Sequence, residues 1–116
     1  MENIKKTSAE LFAAQALASQ VKKELTENIL PYWMQKMIRP DGGLYGQIDG
    51  NEILVPEAPI GNIMTARMLW TFASAYRVLG NEEYLKIALR AKDFIIKNFF
   101  NKKTFTWVNA VHIRAF

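Results

Sequence analysis

Gly61 to Gly80 reads GNIMTARMLWTFASAYRVLG, and this stretch decides the fold. Between Ile63 and Leu79 only Arg67 and Arg77 carry charge. The run has helical length, Gly61 or Asn62 stands where a cap is needed, and Gly80 can take the positive φ that ends a helix. Its composition is apolar nearly all round, which predicts a helix buried on most sides. Arg77 lies near the end of the run, where it can reach water. Arg67 lies in the first turns among Met64, Met68, Leu69 and Trp70, and a permanent cation there calls for an anionic or polar partner.

Immediately downstream, Asn81 caps another helix, with Glu82 and Glu83 in the first turn where the helix dipole favours anions. Lys86, Arg90, Asp93 and Lys97 fall on one face of it; Tyr84, Ala88, Ala91, Ile95 and Phe99 fall on the other. The connection LGNEEY leaves little slack, so the two helices are antiparallel neighbours. A helix buried all round beside one that is half exposed suggests the inner and outer layers of an α/α barrel or of a helical repeat array. No internal repeat stands out in the sequence.

Upstream the periodicity changes. RPDGGLYGQIDGNEILVPEAP, residues 39–59, holds four of the six glycines and three of the four prolines. LYGQI and EILV flank DGN, and Asp49-Gly50 is a strong turn signal, so the expectation is a two-stranded hairpin resting on helices. Further upstream Thr7 and Glu10 have capping-box spacing. Leu11, Ala14, Ala18, Val21, Leu25 and Ile29 then recur at steps of three and four. This amphipathic helix is expected to end near Leu30, because Pro31 disfavours a helical residue before it, with PYWMQKMI adding a short further turn.

Composition bounds the rest. Half the residues are hydrophobic and 22% are charged, the balance of a folded domain rather than a disordered chain. With 116 residues there is material for one domain. No apolar run is long enough to cross a bilayer, and MENIKKTSAE lacks the apolar core of a secretory signal, so no membrane partner and a cytoplasmic location are expected. The absence of cysteine excludes disulfides and thiolate zinc sites. The net charge of +4 is dispersed in pairs such as Lys5-Lys6, Lys22-Lys23 and Lys102-Lys103. That pattern reads as solvated helix faces and predicts no nucleic-acid partner. DGGLYG lacks the lysine and following helix of a phosphate loop, and its glycines read as tight backbone geometry. Met34, Met37, Met64 and Met68 read as adaptable packing. Tyr45, Trp70 and Trp107 could stack on sugars, but at their spacing core positions are expected, Trp70 above all.

Several of these pieces carry a resemblance in their order. ENILPYWM with Trp33, then DGGLYGQI, then EAPIGNIMTARMLWTFASAYRVLGNEEYLKIA with Ala66-Arg67, Leu69-Trp70 and Ala75-Tyr76-Arg77, resemble the N-terminal part of the N-acylglucosamine 2-epimerase family, and within it the cellobiose 2-epimerase branch. The resemblance runs from about residue 25 to 99. It implies an all-α fold, the first helices and a short β-hairpin of an (α/α)6 barrel, incomplete in this chain. It also implies epimerisation or isomerisation of a sugar at C2, by proton abstraction and return through an enediolate. Arg67 matches the arginine that lies in the family's sugar site, so Arg67 is the expected substrate-binding residue. No metal or redox cofactor is implied.

The family's chemistry uses two histidines. This chain has one, His112, which matches neither motif, so no catalytic residue is assigned. Residues 101–116, NKKTFTWVNAVHIRAF, depart from the family pattern: the expected Gly-Gly turn is absent, although Trp107 echoes the strand that follows it. The whole of 1–116 is thus expected to be an N-terminal segment of such a barrel, inactive alone, its sugar substrate bound by the full-length parent. Apolar faces without their neighbours are expected to drive homo-oligomerisation or swapping. The alternative is a small self-associating helical interaction module.

Overall fold

Thr7 opens the first helix with the capping box that its spacing predicts. Its hydroxyl accepts from the Glu10 N–H at 3.2 Å, and the Glu10 carboxylate accepts from the Thr7 N–H at 2.8 Å. The computed structural model describes residues 7–113. The Lys5-Lys6 pair, the first residues read for a secretory signal and the last three residues of the tail lie outside them. By its contacts the chain divides into two compact units, Met1–Gln35 and Lys36–Phe116.

In the first unit α1 spans Ser8–Glu24, and a π-helical turn follows at Leu25–Ile29. The chain then continues into α2, Leu30–Lys36. The expected stop near Leu30 does not occur. The Leu30 N–H reaches back five residues to the Leu25 carbonyl, which widens the helix just before Pro31. A proline inside a regular helix clashes with the carbonyl four residues back and lacks the N–H that would bond to it. The wider turn moves that carbonyl away, so the helix passes through Pro31. Thr26 donates its hydroxyl to the Lys22 carbonyl at 2.8 Å within the same stretch. No side chain of α1 is buried, and Leu11, Phe12, Leu17 and Val21 are all exposed.

The second unit begins with two turns of one design. In the first, the Arg39 N–H donates to the Gly43 carbonyl, the Gly42 N–H to the Arg39 carbonyl and the Tyr45 N–H to the Met37 carbonyl, around a bridge between Ile38 and Leu44. In the second, Asp49 donates to Ile53, Glu52 to Asp49 and Val55 to Gln47, around a bridge between Ile48 and Leu54. Each residue of one turn corresponds to a residue of the other, Arg39 to Asp49 and Gly42 to Glu52. Both are hairpin loops with a positive φ at the corresponding residue, +117° at Gly42 and +61° at Glu52, and the first turn adds a second, +69° at Gly43, that has no counterpart at Ile53. The hairpin expected around Asp49-Gly50 is therefore present, but as a single bridge rather than two strands. The left-handed residue is Glu52 and not Gly50. The Asp49 side chain explains the choice: it accepts from the N–H groups of Asn51 at 2.8 Å and Ile53 at 3.0 Å, fixing the turn from within. At Gly46 the backbone passes so close to Pro59 that an added Cβ would overlap the Pro59 carbonyl oxygen.

Strand β1, Ile60–Gly61, leads into α3, Asn62–Leu79. Gly80 takes φ +76° and Asn81 caps α4, Glu82–Asn98, by accepting from the Glu83 N–H at 2.9 Å. The two helices pack side by side as antiparallel neighbours, as the short connection predicts. Thr65, Met68, Phe72 and Ala75 are the buried residues of α3; Tyr84, Ala88, Ala91 and Phe94 are those of α4. Phe72 and Tyr84 bring their rings to 6.1 Å. The expectation that α3 is buried on most sides is corrected: only one stripe is covered, and Ile63, Trp70 and Val78 are exposed.

Residues 100–113 fold back onto these helices. Strand β2, Phe100–Asn101, pairs with β3, Thr106–Trp107, and β4, Ala110–Val111, pairs antiparallel with β1. Ile60, Phe94 and Phe99 form an apolar cluster that Met64, Ile95, Val111 and Ile113 complete. The echo of a Trp-bearing strand at Trp107 is thus matched by a strand there.

Candidate functional site

Arg67 is the sixth residue of α3, on the face turned away from α4. It is exposed, and among the described residues it forms no hydrogen bond or ion pair. Ile63, Ala66, Trp70 and Ala73 share that exposed face. The opposite face is held to its neighbours by Thr65, Met68 and Phe72, and Thr65 additionally donates its hydroxyl to the Gly61 carbonyl at 2.8 Å. The core placement expected for Trp70 is corrected, since its side chain is 72% exposed. Helix geometry gives the reason. Trp70 is two residues from both Met68 and Phe72, roughly 200° round the helix from each, so it cannot share their face. Met68 and Met37 are buried, as the packing reading of the methionines predicts.

Sequence reasoning missed a second polar cluster. Arg39 is only 5% exposed and forks onto Asp41, its Nε and Nη2 each 2.9 Å from a carboxylate oxygen. Its Nη1 reaches the Pro56 carbonyl at 3.4 Å, and the guanidinium carbon lies 5.4 Å from the centre of the Tyr45 ring. The Arg39 hydrogen bond holds the Asp41 carboxyl below its ordinary value, and the same bond raises Arg39 above its own. From α4, Arg90 donates its Nε–H to the Gly43 carbonyl at 3.0 Å and its Nη2–H to the Arg39 carbonyl. Arg90, expected on the polar face of α4, is half buried and ties the first turn to that helix. The available signal was Arg39-Pro40-Asp41, in which a turn brings the first and third side chains together. An open groove runs beside this cluster, lined by Asp41, Gly43, Lys86, Arg90 and Phe94.

The described residues contain no group of three His, Cys, Asp or Glu side chains arranged to hold a metal. His112 is exposed in the segment after β4. What this unit offers chemically is a buried arginine paired with a half-exposed aspartate, which shapes backbone, and an unpaired arginine beside an indole on an open helix face.

A packed inner-and-outer helix pair, entered through glycine-rich turns and followed by short strands, is the start of an α/α barrel of the kind found in sugar epimerases. No protein-family model matches the chain. It is 49% identical over 88 residues to the cellobiose 2-epimerase of Bacteroides fragilis, covering 75% of this chain and 22% of that one. It is 35% identical over 82 residues to the cellobiose 2-epimerase of Ruminococcus albus, covering 71% and 21%. Among solved structures, cellobiose 2-epimerase from Spirochaeta thermophila superposes with a TM-score of 0.81 at 32% identity, over 92% of this chain and 26% of that chain. The enzyme from Bacillus thermoamylovorans gives 0.80 at 33% identity, over 84% and 25%. The chain belongs to the N-acylglucosamine 2-epimerase family and corresponds to the N-terminal part of its cellobiose 2-epimerase barrel. It spans about a fifth of the length of the curated relatives it matches.

Proposed function

We propose that residues 1–116 form the N-terminal segment of a carbohydrate 2-epimerase, and that Arg67 is its contact to the sugar. The reaction removes the proton at C2 of an open-chain sugar, beside the carbonyl, and returns it to the opposite face. Between the two transfers the carbon–oxygen framework is an enediolate, with negative charge on oxygen. A guanidinium suits that charge: it stays protonated near neutral pH, so it stabilises the oxyanion without competing for the proton. In a pocket closed to water such an interaction is far stronger than in solution.

The observation that carries the reading is the 49% identity of the aligned segment, which includes Arg67, to a cellobiose 2-epimerase. Arg39 and Arg90 are both engaged, whereas Arg67, like Arg77 of the same helix, is exposed and has no partner among the described residues. It lies near the start of α3, among the residues that the helix leaves exposed. The chain holds one histidine, so a two-histidine proton relay needs a residue from outside it, and the isolated chain is expected to turn over no sugar.

The test is a graft. The matching segment of the Bacteroides fragilis cellobiose 2-epimerase is replaced by the stretch of this chain, 75% of its length, that aligns with it, and epimerisation of cellobiose is followed with C2 proton exchange in D2O. The graft should be active, and Arg67→Ala should lower kcat by roughly 10²–10³, the usual loss on removing one oxyanion-stabilising donor. Equal activity with Ala at this position would exclude the proposed contact. Solvent exchange at C2 by the isolated chain would overturn its expected inactivity.

A further inference from the structure

We infer that Asp49-Gly50 is a site of spontaneous covalent modification, where the aspartate rearranges through a cyclic imide to isoaspartate, and that the fold directs this chemistry to Asp49 and away from Asp41. The inference is independent of the sugar-binding reading. Asp41-Gly42 and Asp49-Gly50 are the two places in the sequence where an aspartate or asparagine precedes glycine. Glycine matters because it has no Cβ to crowd the amide nitrogen that must attack. As dipeptides the two sites are the same, so any difference between them comes from the turns that hold them.

In the rearrangement the Gly50 nitrogen bonds to Cγ of the protonated Asp49 carboxyl group, and the Cγ–Oδ2 bond breaks. Oδ2 leaves as water, taking the amide proton with it. Water then adds to the imide at the former main-chain carbonyl, whose bond to the Gly50 nitrogen breaks. The chain now runs through Cβ and Cγ, with a free carboxylate on Cα. One water leaves and one returns, so the mass is unchanged and no oxidant or cofactor takes part. Attacking atom and target belong to adjacent residues, so the encounter is intramolecular.

The two turns treat their aspartates differently. Both side-chain bonds to Asp49 end on Oδ1, from the N–H groups of Asn51 at 2.8 Å and Ile53 at 3.0 Å. Two backbone donors therefore already face the oxygen that becomes negative when nitrogen adds to Cγ, and Oδ2, the oxygen that departs, takes neither of them. The Gly50 N–H enters none of the turn's backbone hydrogen bonds among the described residues. In the first turn Nε and Nη2 of Arg39 each hold one Asp41 oxygen at 2.9 Å. That fork favours the ionised carboxylate, whose oxygens are poor leaving groups. The Gly42 N–H is also bonded, to the Arg39 carbonyl. Solvent access does not make the distinction, since Asp41 is exposed and Asp49 half buried.

The test incubates the purified chain in mildly acidic buffer, native and in concentrated urea. Isoaspartate at each site is then read by mass spectrometry after digestion with an aspartate-specific protease, which does not cut at isoaspartate. In the native chain Asp49 should accumulate roughly tenfold more isoaspartate than Asp41, a difference of about 1.4 kcal/mol in barrier. In urea, where both turns are lost, the two sites should converge. Gly50→Ala places a Cβ that meets nothing, so the turn stands while the crowded nitrogen slows rearrangement at Asp49 by roughly tenfold. Arg39→Met removes the fork and should raise isoaspartate at Asp41. A native ratio equal to the ratio in urea, or a native chain that modifies Asp41 faster, overturns the inference. So does a Gly50→Ala chain that rearranges as fast as the parent, since the attacking atom would then not be the Gly50 nitrogen.

Discussion

Arg90 and Gly43 are joined by a hydrogen bond of 3.0 Å from the guanidinium Nε–H to the backbone carbonyl, and a second N–H of the same side chain takes the Arg39 carbonyl. One residue of α4 thus ties down both ends of the first glycine-rich turn. Gly43 is buried and Phe94 lies against it, so closely that an added Cβ would overlap the ring. The turn is clamped between a cation and an aromatic side chain one helical turn apart.

Arg90→Met keeps the aliphatic stem and removes the fork. The Gly43 carbonyl then keeps only the Arg39 N–H, and the Arg39 carbonyl only the Gly42 N–H, both without the charged donor. The expected loss is about 2–3 kcal/mol, as for hydrogen bonds to charged groups, read by urea unfolding. Arg90→Lys should fall between, because an ammonium is a point donor that cannot match the planar fork. A Met variant within about 0.5 kcal/mol of the parent would show that the clamp contributes nothing net.

Asp41 gives the fold a dependence on acid. Its carboxyl is held below the ordinary value by the Arg39 hydrogen bond, while Arg39 stays charged throughout the accessible range. A depressed carboxyl pKa contributes stability that is complete above the unfolded value of about 4 and is lost as pH falls through the folded value. Asp41→Asn should therefore cost about 1–2 kcal/mol near neutrality, a figure kept low because the Asp41 side chain is half exposed. The difference from the parent should shrink below about pH 4. Melting curves from pH 7 to pH 2 check this, and a gap that stays constant to the lowest pH would contradict it.

Glu52 and Gly50 make a paired test of the second turn. Glu52 carries the positive φ, which costs a side-chain-bearing residue roughly 1–2 kcal/mol, so Glu52→Gly should stabilise by roughly 0.5–1 kcal/mol after glycine's own entropy cost. The 3.8 Å contact from Lys36 to Glu52 is exposed at both ends and offsets little. Gly50→Ala should be neutral or stabilising by about 0.4–1 kcal/mol, because Gly50 lacks positive φ and a Cβ there meets nothing. If Gly50→Ala destabilises while Glu52→Gly does not stabilise, the turn has the left-handed residue at Gly50 after all.

Much of this molecule was legible in its residues. Thr7 with Glu10, Asn81 with Glu83, and Gly80 mark helix ends through local hydrogen bonds and φ preference, and each does what its spacing says. The α3–α4 pair followed from periodicity and a short connection. The departures arise where non-local or competing local effects prevail. Pro31 signals a stop, but a five-residue hydrogen-bond step lets the helix through. Asp49-Gly50 signals one turn type, but the Asp49 carboxylate stabilises another. The apolar composition of α3 said how much could be buried, not which stripe would be covered, and so misplaced Trp70. Arg90 escaped notice because its partners are backbone carbonyls far away in sequence, which no side-chain pattern announces. Arg67 was singled out by its isolation among apolar neighbours, and the structure leaves it exposed on the open side of the same helix.

The two consecutive turns share one hydrogen-bonding template, yet they do different work. The first carries the arginine–aspartate fork and the fastening to α4; the second holds itself with a single aspartate and an exposed tip. A six-residue cassette copied from 49–54 into 39–44 would set an isoleucine at position 43, where the backbone takes φ +69° and the Phe94 ring leaves no room for a Cβ; the first turn therefore tolerates no such exchange, whereas the exposed tip of the second, at 50–52, is open to an inserted peptide.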